Sequence, residues 1–232
     1  MPREVKIVKK LFLLNMLKKL WYYSYSLYFC LRYLPFNQAI KVPVLVWPTT
    51  KIRSLHRGDI VLTGVVFKAS VLLGFEGSIG RDSGPMIISI SRGGRLYLGQ
   101  DVNISRGTKL VTVGNGSIRI GNGFFCNGDC YFLSDKEINI GDACLFGWDI
   151  DINTTDGHTT YCDGVENIKS APICLKNHVW VCSNVRINKG VTIAGDSVVA
   201  MASLVSKDLE QCKCLYGGVP ARLIRKDYNW KA

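Results

Sequence analysis

Histidine is scarce in this chain, with three among 232 residues, at positions 56, 158 and 178. No two of them are closely spaced, which argues against a histidine-based metal centre. Proline is also sparse, seven residues against 23 glycines, and this excludes a proline-rich linker or a disordered chain. No apolar run approaches the roughly twenty residues that a spanning helix needs. The run at 11–17 is broken by Lys18-Lys19, and Leu20 to Leu31 covers only about twelve residues between charges. No small-residue cleavage site follows, so the expectation is that the start is not a signal peptide. A disulfide framework is missing as well. The nine cysteines are odd in number and irregularly spaced, and they read as reduced thiols in a cytoplasmic protein. Cys126, Cys144, Cys174 and Cys182 fall in repeat strands, where cysteine serves as a small apolar filler. Cys212-Lys213-Cys214 has no His or Cys partner nearby in sequence, and no metal is expected.

Acidic residues are few, 18 against 29 basic, giving a formal net charge of +11. The excess is concentrated at one end. Residues 1–41 hold Arg3, Lys6, Lys9, Lys10, Lys18, Lys19, Arg32 and Lys41 against Glu4 alone. A basic body would point to nucleic acid. A basic end points to a membrane surface or a local interface, so no nucleic-acid partner is expected.

A period of six residues is present. From residue 175 the chain reads LKNHVW, VCSNVR, INKGVT, IAGDSV, VAMASL, with Leu175, Val181, Ile187, Ile193, Val199 and Val205 in register. Val179, Val185, Val191, Ser197 and Ser203 follow four positions after the first five of these. The spacing recurs in Leu98, Ile104 and Leu110, in Ile120, Cys126 and Phe132, and in Ile140, Phe146 and Ile152, after a slip at Ser134-Asp135. Six fits neither a helix nor a simple strand. It fits short strands that turn a corner every six residues, with three sides per coil and roughly seven coils stacked at strand spacing. Gly121-Asn122, Gly141-Asp142, Asn184 and Gly195-Asp196 suit left-handed corners.

The expected organisation is a helical segment at 1–50, a parallel β-helix at 51–208 and a closing turn with a short helix at 209–232. The N-terminal helix should run from about residue 4 to 33 and stop before Pro35. Two uses for it stand open. One is an interfacial helix on a membrane surface, through residues 1–34. The other is a cap on the open end of the β-helix or a contact between subunits. Residues 155–172 carry no hexad and should loop out, and long loops on rigid scaffolds tend to carry function.

Residues 140–226 resemble the hexapeptide-repeat acyltransferases, the left-handed β-helix group that includes galactoside and maltose acetyltransferases. VWVCSNVRINKGVTIAGDSVVAMASLVSKD looks like that family's core and GGVPARLIR like its closing motif. LFGWDIDINTTDGH and the ending YNW look like members that O-acetylate bacterial surface polysaccharides. The resemblance implies a homotrimer that uses acetyl-CoA and no metal on a saccharide acceptor. It implies a cytoplasmic enzyme, peripheral at the inner membrane face if the N-terminal helix binds lipid.

The same resemblance implies the site. His158 would be the general base, a role that suits a group titrating near neutral pH. The Ser183 N–H would be the oxyanion donor. Asp156 would orient His158 or bind sugar hydroxyls. Asn127, Asp149 and Trp180 would contact the acceptor. Met201 and Ala202 would lie along the pantetheine arm, and Ser206, Lys207, Arg222 and Arg225 would line the coenzyme site, where cations suit its phosphates. The usual glycine of the hexad is replaced by Cys182, Ala194 and Ala200, and Met201 replaces a small residue, which implies either a narrower coenzyme groove or an unusual acyl group. Three other readings stay open. One is an N-acyltransferase of an amino sugar or xenobiotic, and another a non-catalytic trimeric scaffold. The third is a zinc-dependent carbonic anhydrase on the same β-helix, which would need His56, His158 and His178 as ligands.

Overall fold

The computed structural model describes residues 3–77 and 83–231, with side chains from residue 14 onward. Leu11 and the basic residues Arg3, Lys6, Lys9 and Lys10 therefore lie outside the described side chains.

Short strands wind into three faces around one apolar column. Face 1 begins at Val44–Val46, face 2 at Lys51–Ser54 and face 3 at Ile60–Leu62. Among the described residues face 2 holds seven strands, one for each coil, and face 3 holds six. Face 1 holds nine, because the closing hairpin joins it. The first strand thus precedes the boundary expected at residue 51.

The six-residue register marks the column. Leu98, Ile104, Leu110, Ile120, Cys126, Phe132, Ile140, Phe146 and Ile152 are all buried, as are Leu175, Val181, Ile187, Ile193, Val199 and Val205. Coil length explains the slips upstream. Eighteen residues separate Val181 from its partner Val199. Twenty separate Cys126 from Phe146, and twenty-two separate Ile104 from Cys126. The longer coils use four-residue strands with two inward side chains each, as in Ser117–Ile120 and Glu137–Ile140. Phe124, Phe132 and Phe146 fill the widened centre, with ring centroids 5.0 Å and 5.9 Å apart. Such pairs add a little to the burial of their area, about 0.5–1.5 kcal/mol each.

The corners are left-handed, with two shifts from expectation. Asn184 and Asp196 adopt positive φ, whereas at the 121–123 and 141–143 corners the left-handed residues are Gly123 and Ala143. Cys126 and Cys144 fill the interior, and burial pushes the Cys144 thiol up to about 12. Cys174 and Cys182 do not fill it. The strand register sets Cys174 beside Asn139 and Thr192, so it faces outward and Leu175 faces in.

Helix α1 (Arg3–Tyr33) ends one residue before Leu34-Pro35, and the single turn α2 (Phe36–Ala39) follows. The C-terminal half of α1 lies on the first coil. Phe29, Cys30 and Leu34 are buried there, and Ser26 Oγ accepts a hydrogen bond from Val46 N at 2.9 Å. Cys30 Sγ donates to Val44 O at 3.3 Å. The open end of the column is thereby covered and the free edge of its first strand partly satisfied.

The short C-terminal helix is replaced by an antiparallel hairpin of Cys214–Gly218 and Ala221–Lys226. The cause is tertiary. The last strand of face 1, Val198–Val199, presents an unpaired edge, and Cys214–Gly218 adds to it in parallel. The tail then folds back, and Trp230 stacks on His178 with centroids 4.3 Å apart.

Candidate active site

The two loci expected to carry chemistry lie at opposite edges of face 2. The corner between faces 1 and 2 is a stack of left-handed residues, Asp129, Asp149, Asn184 and Ala202. Each donates its N–H to the preceding coil: to Arg106 O, Gly128 O, Trp148 O and Ser183 O, at 2.8–3.2 Å. Asn127 leads into this stack, with Nδ2 3.4 Å from Phe146 O. Ser183 Oγ accepts from Trp148 N at 3.0 Å. A side chain at Gly147 would begin 2.6 Å from Ser183 Oγ and 2.7 Å from Ser183 N, so the glycine keeps space open beside that amide. Met201 stands next to Ala202 and is 65% exposed, projecting from the corner. Asn127, Asp149, Ser183, Met201 and Ala202 therefore come together.

The corner between faces 2 and 3 carries the loop at 155–172. Its root is clamped by a residue that the sequence reading passed over as a slip. Asp135 accepts from Thr154 Oγ1 at 2.9 Å and from Ser170 Oγ at 2.5 Å, and its own N–H donates to Thr154 Oγ1 at 2.9 Å. Thr155 and Ser170 bridge in antiparallel fashion, and further out Tyr161–Cys162 pairs with Val165–Glu166. Asp156 faces Lys189 of the next coil, carboxylate to ammonium, and not His158. His158 itself is exposed, just beyond this anchored root. A side chain that must move a proton at neutral pH gains from such a site, because its backbone is held while its ring stays accessible.

Ser206 and Lys207 are exposed at the same corner two coils further on, whereas Arg222 and Arg225 are exposed on the closing hairpin of face 1. Trp180 sits on the outer side of face 1 beneath the tail, its ring 5.8 Å from that of Trp230. His178 is also engaged there, with Nδ1 2.9 Å from Asp196 Oδ1 and its carbonyl accepting from Trp230 Nε1 at 3.1 Å. His56 is on the surface beside the buried Asp59, to which its N–H donates at 2.7 Å. The three histidines thus occupy three separate surroundings within the chain.

A second excursion, between Val71–Leu73 and Ile87–Ser89, carries no signal of period and was not anticipated. Ser83 ties it to the body, donating from Oγ to Asp129 Oδ2 at 2.6 Å.

No family model matches the chain. Among curated proteins it is 36% identical over 112 residues to the galactoside O-acetyltransferase of Escherichia coli K12, covering 47% of this chain and 54% of that one. A putative acetyltransferase of Schizosaccharomyces pombe is 31% identical over 114 residues, 49% of this chain and 55% of that one. The chain spans about half the length of these curated relatives. Among solved structures, the polysialic acid O-acetyltransferase OatWY superposes with a TM-score of 0.58 at 21% identity, covering 79% of this chain and 88% of that one. That likeness is one of fold, the left-handed parallel β-helix. Over the half of the chain that aligns, the sequence is thus similar to acetyltransferases, a galactoside O-acetyltransferase among them, and the coil is shared with OatWY.

Proposed function

We infer that this protein is an O-acetyltransferase that moves an acetyl group from acetyl-CoA to a sugar hydroxyl of a bacterial surface polysaccharide or its precursor. The observation that carries this reading is the placement of His158, exposed on a loop whose root is clamped by Asp135 and by the Asp156–Lys189 pair. The relation to a galactoside O-acetyltransferase supports the choice of reaction.

His158 takes the proton of the acceptor hydroxyl as its oxygen attacks the thioester carbonyl. The Ser183 N–H steadies the oxyanion that forms. Collapse breaks the carbon–sulfur bond, and the sulfur leaves with the proton that His158 held. No acyl-enzyme is needed. Transfer of label from acetyl-CoA to hydroxyl sugars, with none to matched amines, is the expected result. Transfer to amines alone would replace this reading with N-acylation.

Because His158 and Ser183 stand at opposite edges of face 2, the working site takes one edge from each of two chains in a homotrimer. The outer side of face 1 supports a contact between copies, since the half-buried Phe125 and Leu145 stand in register on it, clear of the tail that covers Trp180. The same arrangement lets Lys207 of one chain and Arg222 and Arg225 of the next flank one coenzyme. Neutralising all three is expected to weaken coenzyme A binding, each contact contributing at most about 1.5–3 kcal/mol, and added salt should weaken it too. Calorimetry giving unchanged affinity for the triple variant would place the coenzyme elsewhere.

The outward side of α1 extends the reading to location, at the cytoplasmic face of the inner membrane. Leu14, Leu17, Trp21, Tyr28 and Leu31 are exposed along it, with Lys18 and Lys19 among them. Among the described residues no helix is long and apolar enough to cross a membrane. An amphipathic, basic helix suits the surface of an anionic bilayer.

A further inference from the structure

A cleft of about 480 Å³ lies along face 2. Its floor is one outward row. Lys51 pairs in register with Ile87, Ile87 with Lys109, Lys109 with Tyr131 and Tyr131 with Asp151. Four steps between coils, at about 4.8 Å each, make the row roughly 19 Å long. Asp129 and Asp149 of the corner stack line it, together with Gly84-Pro85 of the second excursion, which leaves the same corner. Two details show how this corner is built. The Asp129 carboxylate occupies the space of a side chain at Gly107, whose Cβ would come within 1.8 Å of Oδ1. The same carboxylate accepts from Ser83 Oγ, which ties Ser83 to that corner. Arg186 continues the row at its far end, with Nε 2.9 Å from Asp151 Oδ2 and Nη2 3.6 Å from Asp149 Oδ1.

The cleft is lined by groups of both signs. Lys51 and Lys109 stand with Asp129, Asp149 and Asp151, Arg186 pairs with the last two from the next coil, and Tyr131 lies among them with Lys109 Nζ 5.8 Å from its ring centroid. A ligand that both donates and accepts hydrogen bonds all along its length, and has an apolar surface for an aromatic ring, matches this floor. A polyanion does not, because three carboxylates would face it. The floor row follows the helix axis across five coils, which suits a chain better than a compact molecule.

We propose that this cleft binds an extended, uncharged oligosaccharide, holding units of the acceptor beyond the one that is acetylated. The inference rests on the reading of the protein as a sugar O-acetyltransferase and names the class of acceptor. Asp149 links the two regions, since it lines the cleft and belongs to the corner that holds Ser183.

The test is binding of the full-length protein to an immobilised panel of neutral and sialylated oligosaccharides, with transfer to a monosaccharide measured in parallel. Wild type is expected to bind neutral members of several units, with little change between low and moderate salt. Tyr131→Ala and Asp151→Ala should lower that binding about tenfold or more, Tyr131→Phe should retain most of it, and transfer to the monosaccharide should stay within about twofold in all three. Binding of sialylated members alone, or of no neutral member, overturns the proposal while leaving the acetyltransferase reading intact. Neutral binding without any transfer sinks the acetyltransferase reading and leaves the cleft. Variants that bind normally overturn the assignment of this row. Variants that dissociate into monomers show that the cleft is a contact between copies, and this too overturns it.

Discussion

Replacing His158 with alanine is expected to slow acetyl transfer about 10²–10⁴-fold while thermal unfolding stays unchanged. The kinetic loss follows from the proposed role of His158 as the base for the hydroxyl proton. The unchanged stability follows from exposure. The ring packs in no core, and the loop is held at its root by Asp135, Thr154 and Ser170, none of which is altered. A variant that keeps more than about a third of the wild-type rate would remove His158 from the mechanism. The division of the site between two corners adds a sharper test. In Gly147→Ala the added Cβ would sit 2.6 Å from Ser183 Oγ and disable the other corner. Trimers assembled from equal amounts of the two inactive chains should recover about a quarter of the wild-type rate, because some interfaces then join one intact loop to one intact corner. No recovery in mixtures that do co-assemble would place the whole site within one chain.

Deleting residues 1–34 is expected to lower the unfolding temperature by about 10 °C or more and to cause aggregation. Phe29 and Leu34 are fully or almost fully buried against the first coil, and burial of each such side chain contributes about 1.5–3 kcal/mol. Val44 and Val46, both 0% exposed, would meet water on the side that α1 now covers. The first strand would lose the hydrogen bonds with Ser26 and Cys30 and become a bare edge, open to pairing with other chains. The membrane reading concerns the opposite side of the same helix, and vesicle sedimentation addresses it separately. Full-length protein should sediment with anionic vesicles at low salt and be released as salt is raised. A truncated chain that unfolds at the wild-type temperature would refute the cap. A full-length chain that ignores anionic vesicles would refute the lipid contact.

The legible parts of the fold were those written in short-range pattern. Every position in the six-residue register proved to be interior, from Leu98 to Val205. Between Ile104 and Phe146 the register slips because the coils take twenty-two and twenty residues per turn. The end of α1 ahead of Pro35 was also legible, since proline restricts the residue before it. The loop that carries His158 showed itself by lacking the hexad. Its clamp did not, because Asp135 meets Ser170 across thirty-five residues and nothing local marks either as a partner. The closing helix was misjudged for a related reason. RLIRK has no strong preference, and the unpaired edge of Val198–Val199 decided in favour of a strand.

By itself the sequence determined the apolar column, an N-terminal helix ending ahead of Pro35 and a histidine set apart on an excursion. These depend on periodicity, on backbone preference and on the absence of a pattern, all of which are local. Only the tertiary structure decided which residues meet. It put Asp156 against Lys189, brought Trp230 over His178 and Trp180, and aligned Lys51, Lys109, Tyr131 and Asp151 into one cleft floor. It also separated His158 from Ser183 by the width of a face. The physical reason is that neighbours on a β-helix lie one coil apart along the chain. Each coil here has its own length, so a contact depends on the running sum of all residues wound before it and cannot be read from any single window.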